Sequence, residues 1–204
     1  MAANVLIAFY SRNGSTEALA KAIAEGAEAN GATVRLRRAR ELVGADVIDG
    51  VPGWRESMER QNALYEAPTP ADAEWADAIV LGSPTRFGIV STELKAYIDS
   101  LGGLWFQGKL FNKAGAAFGA TAGAHGGAET TLVGLFAAFS HLGLVIVPNG
   151  YGDPITFQGG TPYGSHTAVD GQYVKAPADA DLAVAKYQGA RVAKVAAALK
   201  PLRG

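Results

Sequence analysis

The chain has 204 residues, enough for one large domain and barely enough for two, with 49 % hydrophobic and 18 % charged residues in a soluble globular balance. Its 18 basic and 19 acidic residues leave a net charge of -1, so no whole-molecule field recruits nucleic acid. There are no cysteines, which excludes disulfides, thiolate catalysis, Fe–S clusters and zinc fingers.

Val5 to Tyr10 (VLIAFY) is an apolar run with the length and residue types of a buried strand. A helical pattern follows, with Leu19, Ile23 and Ala27 spaced four apart and Ala20 and Ala24 beside them. Between them lies Ser11-Arg12-Asn13-Gly14-Ser15-Thr16. In a strand–loop–helix unit that loop meets the amino end of the helix, where first-turn N–H groups lack partners and the dipole is positive. An anion is welcome there. Ser11, Ser15 and Thr16 can donate hydroxyl hydrogen bonds, and Gly14 lets the backbone approach closely. No Lys follows the glycine, so GxxxxGK[ST] is not matched, and GxGxxG is also missing. The loop suits a single phosphate monoester held by neutral donors. The competing reading is a turn with an N-cap, for which six polar or small residues are more than is needed. Asn13-Gly14-Ser15 is also a glycosylation sequon, which only a secreted protein would use.

Thr33 to Arg37 alternates like a half-exposed strand. Arg35, Arg37, Arg38 and Arg40 form a local basic cluster, read as a solvated strand end in preference to a seat for the 2′-phosphate of NADPH. Residues 44–75, with Pro52, Gly53, Pro68 and Pro70, read as a long surface excursion pinned by Trp54, Met58 and Leu64. Ala78 to Gly82 is a third buried strand. It feeds Ser83 to Gly88 and then a helix with Leu94, Tyr97, Ile98 and Leu101 on one face, ended by Gly102-Gly103-Leu104-Trp105. Ala114 to Gly119 is a fourth strand, followed by the glycine-rich loop Gly119 to Gly127. The next helix buries Leu132, Leu135, Phe136 and Phe139, and Gly143 suits its cap. Leu144 to Val147 is the fifth strand, and a last amphipathic segment runs from near Asp181 to about Leu199.

Strands opening near 5, 33, 78, 114 and 144, each followed by room for a crossover, predict an α/β fold. It is a doubly wound five-stranded parallel sheet with helices on both faces, one domain over residues 1–204. Ligands of such sheets bind beyond the carboxyl ends of the strands at a switch point. The loops 11–16, 83–88 and 119–127 therefore converge on one site. Residues 148–178 have little periodicity and are read as a functional loop covering it. His125, His141 and His166 show no HExxH spacing, so no metal site is expected, and no G-x-S-x-G elbow is present. His166 is expected to be exposed. The N-terminus has no basic leader and no segment reaches transmembrane length, so a cytoplasmic protein is the default.

The pattern resembles the flavodoxin-like fold. GSPTRFG (Gly82 to Gly88), GGLW (Gly102 to Trp105), VIVPNGY (Val145 to Tyr151) and GGTPYG (Gly159 to Gly164) are similar to the WrbA-type NAD(P)H:quinone oxidoreductases, in order and over nearly the whole chain. The resemblance implies FMN as cofactor, NADH or NADPH as electron donor, a small-molecule quinone as acceptor and a homotetramer. It places the cofactor's phosphate loop on Ser11, Arg12, Asn13, Gly14, Ser15 and Thr16. The flavin loop falls on Thr85, Arg86 and Phe87, and the second loop on Ala120, Thr121, Ala122, Gly123, Ala124 and His125. It assigns a flavin-associated role to His141, a substrate-side role to Trp105 and a nicotinamide-nucleotide contact to Asn13. Two departures are visible. Asn13 stands where an aromatic is common, and ATAGAHGG differs from the usual STGTGGG and is one residue longer.

Each assignment has a physical reading. Pro84 stiffens its turn, and the N–H groups of Thr85 to Gly88 can meet polar edges of an isoalloxazine. Phe87 can pack on the ring or fill core. Arg86 can stabilise the anion of reduced flavin or bond its own loop. Trp105 can wall the ring or cover core at a helix end. His141 lies twelve residues beyond Glu129, roughly 18 Å along the helix, so it can serve a neighbouring subunit's flavin or simply cap the helix's last carbonyls. The quinone's proton comes from water or His141. The alternative function is a flavodoxin-like FMN electron carrier without substrate turnover. Such carriers are usually strongly acidic, unlike this chain. A third reading is an interaction protein that has lost the cofactor.

Overall fold

The computed structural model describes residues 2–169 and 176–203. Strand β1 (Asn4–Phe9) is fully buried from Val5 onward, as a run apolar on both faces requires. Helix α1 (Ser15–Glu28) returns the chain to β2 (Thr33–Arg38), the half-exposed edge strand. Three short helices follow, α2 (Ala45–Asp49), α3 (Trp54–Leu64) and α4 (Pro70–Trp75). Then come β3 (Ala78–Pro84), α5 (Thr92–Ser100), α6 (Gly102–Phe106), β4 (Ala114–Thr121) and α7 (Ala128–Leu142). Strands β5 (Val145–Ile146) and β6 (Gly164–Ala168) precede the closing helix α8 (Asp179–Leu199).

All strand pairings are parallel, as the strand–helix alternation predicts, and the order is β2-β1-β3-β4-β5. On one face α1 and α8 cover Val5, Ile7, Phe9, Val80 and Phe118. The two helices nearly touch: a Cβ on Gly189 would lie 1.9 Å from the Ile23 carbonyl, so only glycine fits. On the other face α4, α5 and α7 cover Leu6, Ile79 and Leu81 with Ala73, Leu94, Leu135 and Phe139.

The fifth position is shared by two strands. β5 pairs with Ala114 and Gly115, and β6 pairs with Ala117 to Thr121. Because β3 holds the other edge of β4, both lie along the same edge. At the break, Gln188 of α8 donates to the Ala117 carbonyl (2.8 Å) and accepts from the Ser165 N–H (3.0 Å). That side chain replaces a missing ladder step.

Several expectations are corrected. Residues 148–178 are not a structureless loop: they contain β6 and a 3₁₀ turn at Pro154–Phe157, while 170–175 of that span lie outside the described residues. Residues 44–75 fold into three helices, with Trp54 buried as expected and Leu64 exposed. Gly102 to Trp105 does not end α5 but begins the separate helix α6.

Candidate functional site

The sheet order reverses between β1 and β3, and a crevice opens beyond their carboxyl ends. Its first wall is the loop between β1 and α1. Gly14 sits there at φ 96°, a conformation glycine adopts without steric cost. Helix α1 has no side-chain cap, so the N-cap reading of this loop is not realised. The Ser11 hydroxyl instead accepts from the Gly14 N–H (3.0 Å), shaping the loop from within. Ser11 and Thr16 are buried beside the open helix end. Asn13 accepts from Arg12 Nε (3.2 Å), and the Arg12 guanidinium lies 5.2 Å from the Trp54 ring centre.

Behind this loop the basic cluster is consumed by internal pairs. Arg38 is 0 % exposed, so it is neither a solvated strand end nor placed to meet a nucleotide. Its guanidinium donates to Glu41, to Asn62 (2.7 Å), to Gln61 (3.2 Å) and to the Ser11 carbonyl (3.1 Å). Arg35 and Arg37 pair with Asp72, and Arg40 donates to Asn62 and to the Tyr65 carbonyl. Helix α3 is also tied to α1, where Glu17 accepts from Arg60 Nη1 (2.9 Å) and the Tyr65 hydroxyl (3.0 Å). Burial pushes the Glu17 carboxyl up, but those donors outweigh it and hold it below the usual carboxylate range.

The second wall is the turn after β3. Thr85 N–H donates to the Ala120 carbonyl (2.9 Å), Arg86 N–H to Ile89 (2.9 Å) and Gly88 N–H to the Thr85 hydroxyl (3.2 Å). Three of the four N–H groups expected to face a ring are thus already engaged. Phe87 sits at φ 54° with its side chain fully exposed, which rules out the core role. Arg86 Nη1 bonds the Thr85 carbonyl (3.1 Å), and Arg86 also lines the crevice.

The third wall is the end of β4. Ala120, Thr121 and Ala122 line the crevice, whereas Gly123, Ala124 and His125 are exposed and outside its lining. The loops after β3 and β4 meet at Gly127, where a Cβ would lie 2.9 Å from Gly88 Cα. The whole forms a half-open cleft, lined also by Ser11, Arg12, Asn13, Ser15, Thr16, Pro84, Thr85 and Val169.

His166 is not exposed. It is 9 % accessible on β6, with Nε2 3.0 Å from Thr121 Oγ1. Since that hydroxyl donates to the Gly123 carbonyl (2.8 Å), Nε2 carries the hydrogen and donates to it. Burial pulls the His166 pKa down, against the opposing pull of Asp181 and Glu129. Only the β-branched neighbour Thr167 in SHTA hinted at a strand there.

His141 and Trp105 lie elsewhere in the chain. They share a groove between α5–α6 and α7 with Lys95, Ile98, Asp99 and Leu142. Trp105 is 54 % exposed, so it does not cover core as a helix-end tryptophan would. The structure therefore gathers Ser11, Arg12, Asn13, Ser15, Thr16, Thr85, Arg86 and Ala120 to Ala122, and leaves Gly14, Phe87, Gly123 to His125, His141 and Trp105 out of the cleft lining.

Comparison with known proteins gives a consistent set of relatives. Residues 1–153 match the family described as NADPH-dependent FMN reductase. A Deinococcus radiodurans protein named NAD(P)H dehydrogenase (quinone) is 47% identical over 167 residues, covering 81% of this chain and 83% of that one. One of the same name from Azorhizobium caulinodans is 41% identical over 206 residues, covering 97% and 98%. Among solved structures, the flavodoxin, WrbA-like protein from Agrobacterium tumefaciens has a TM-score of 0.69 at 27% identity, covering 98% of this chain and 100% of that one. An archaeal flavodoxin at 19% identity and TM-score 0.61 shares the fold.

Proposed function

Because the chain belongs to the NADPH-dependent FMN reductase family, we propose that its cleft holds FMN and that it passes two electrons from NADH or NADPH to quinones. The observation that carries this reading is the meeting of an uncapped, hydroxyl-rich helix start with two further strand-end loops at the switch point.

The residues present fit FMN. One terminal phosphate needs donors without a compulsory lysine, and the buried Thr16 with the open first turn of α1 offers them. Ser11, Arg12, Asn13, Gly14 and Ser15 complete that cradle. When bound, FMN supplies the hydride acceptance and two-electron donation that link nicotinamide to quinone. The side chains do the rest by binding and orientation. Arg86 places a guanidinium at the cleft wall, suited to holding negative charge on the ring system. Thr85 and Pro84 give the cleft a stiff edge and Ala120 to Ala122 give it a floor, and these would hold the ring system when FMN is bound. Phe87, fully exposed on a strained turn, is placed to be covered when a ligand or a second copy arrives.

Nicotinamide nucleotide and quinone use the open side of the cleft in turn, with Asn13 at its rim. The working unit we favour is a homotetramer of single-domain chains over residues 1–204, acting in the cytoplasm. His141, Trp105 and the exposed loop Gly123 to His125 then reach a neighbour's cleft or its substrate. Among the described residues no helix is long and apolar enough to cross a membrane.

The test is an anaerobic titration of the FMN-loaded protein with NADH or NADPH, followed by benzoquinone. Bleaching by the nucleotide and recovery with the quinone, one for one, is expected. A flavin that stays oxidised under the nucleotide, and that added dithionite takes to a persistent one-electron state, would assign the electron-carrier role instead.

A further inference from the structure

The Ser11 carbonyl is held by two side chains from outside its own loop. Arg38 Nη2 of β2 and Gln61 Nε2 of α3 each donate to it at 3.1 Å. Both donors are 0 % exposed, and each is itself fixed: Gln61 also bonds Ser57 Oγ (2.9 Å), and Arg38 is paired with Glu41. We infer that Arg38 and Gln61 are positioning residues that give the loop its selectivity for a phosphate, by keeping the Ser11 carbonyl oxygen turned away from the cleft. This rests on the FMN reading above.

The physical reason is the sign of the dipole. A loop that takes a phosphate through backbone donors must keep every carbonyl oxygen from pointing at it. In a loop with glycine at its turn, a peptide can flip at modest cost unless its oxygen is tied elsewhere. The peptide is planar and trans, so anchoring the Ser11 oxygen also sets the direction of the Arg12 N–H. Two donors on one carbonyl, one of them charged, make the flip expensive. Geometry rather than charge does this. The Arg38 guanidinium is neutralised by the nearly buried Glu41 carboxylate beside it, so little net positive field is left to reach the cleft.

The same contacts assign a task to residues 44–75. Helix α3 hydrogen-bonds the Ser11 carbonyl through Gln61 and sets the Trp54 ring beside Arg12, and it is anchored separately to α1 through Arg60 and its C-cap residue Tyr65 on Glu17. The anchoring and the pin can therefore be removed independently.

The experiment compares dissociation constants for FMN and riboflavin, which differ only by the phosphate, using quenching of flavin fluorescence at a temperature where all variants are folded. Gln61→Met keeps the volume and deletes the donor, and Arg38→Lys keeps the charge but not the fork. Tyr65→Phe loosens α3 without touching Ser11. For Gln61→Met the FMN preference over riboflavin should fall about tenfold, on the scale of one lost buried hydrogen bond, with riboflavin affinity unchanged. Tyr65→Phe should lower the thermal midpoint and leave the preference alone. An unchanged preference in folded Gln61→Met, or an equal fall in Tyr65→Phe, overturns the inference. If Arg38→Lys fails to fold, Gln61→Met decides alone. A wild-type protein that binds riboflavin as tightly as FMN overturns the phosphate reading itself, which is a separate result.

Discussion

The Nε2–H of His166 donates to Thr121 Oγ1 across 3.0 Å, joining the strand added at the sheet edge to the floor of the cleft. The bond needs no charge on the ring, and burial disfavours one.

A pH dependence follows. The unfolded chain binds a proton at His166 near pH 6.5, whereas the folded protein resists it until a lower pH. Stability from this residue is complete above the unfolded pKa and is lost as pH falls through the folded one. Glu17, Asp72 and Asp77, held below the usual carboxylate range by their donors despite burial, lose theirs only below about pH 4. Thermal midpoints between pH 7 and 5 should fall more in wild type than in His166→Gln. Parallel curves would remove His166 from the acid response.

Thr16→Ala should weaken FMN binding by roughly 1 kcal/mol or more, the scale of one hydrogen bond to a charged group. The side chain is buried at the open start of α1, so little else changes. A fluorescence titration with unchanged affinity, in a folded variant, would take Thr16 out of the site.

Lys113 stands at the opposite end of the sheet, just before β4. Its Nζ donates to the carbonyls of Ala73 (2.8 Å), Glu74 (2.6 Å) and Ala76 (2.7 Å), closing the end of α4. Lys113→Met leaves these acceptors short of partners and should cost about 2–4 kcal/mol in urea unfolding. FMN affinity should not move, because the cleft lies beyond the other ends of the strands.

His141→Ala should leave the chain's fold intact and reduce FMN affinity only in the assembled protein. Its place beside Trp105 in a groove separate from the cleft motivates this. Sedimentation with and without FMN gives the assembly state. A monomer at micromolar concentration that is saturated with FMN and fully active would end the shared-site idea.

The sheet was legible because buried parallel strands write themselves as continuous apolar runs, from VLIAFY to AGAAFG. The cleft loops were legible because they follow those runs directly. Arg38 was misread because a charge at the end of an edge strand is ordinarily solvated, and its partners Gln61 and Asn62 come from a helix with no clear apolar stripe. His166 was misread for a related reason: β6 is short, polar and flanked by glycine, and it exists only because β4 offers it an edge. The N–H groups of Thr85 to Gly88 looked available in one dimension, but those of Thr85, Arg86 and Gly88 are spent on Ala120, Ile89 and Thr85 in three.

The division of the fifth sheet position into β5 and β6 leaves the mostly exposed middle of their connection, from Tyr151 to Gln158, outside the register of either strand, while Val147 and Thr161 stay held beside them. Each half takes its register from β4 on its own, and Gln188 stitches the seam between them. Val169 is therefore delivered to the cleft by β6 alone, whatever route the chain takes on the way. A lineage could lengthen, shorten or replace that detour as a cassette and refit the rim of the protein to new surroundings. The chemistry at its centre would not notice.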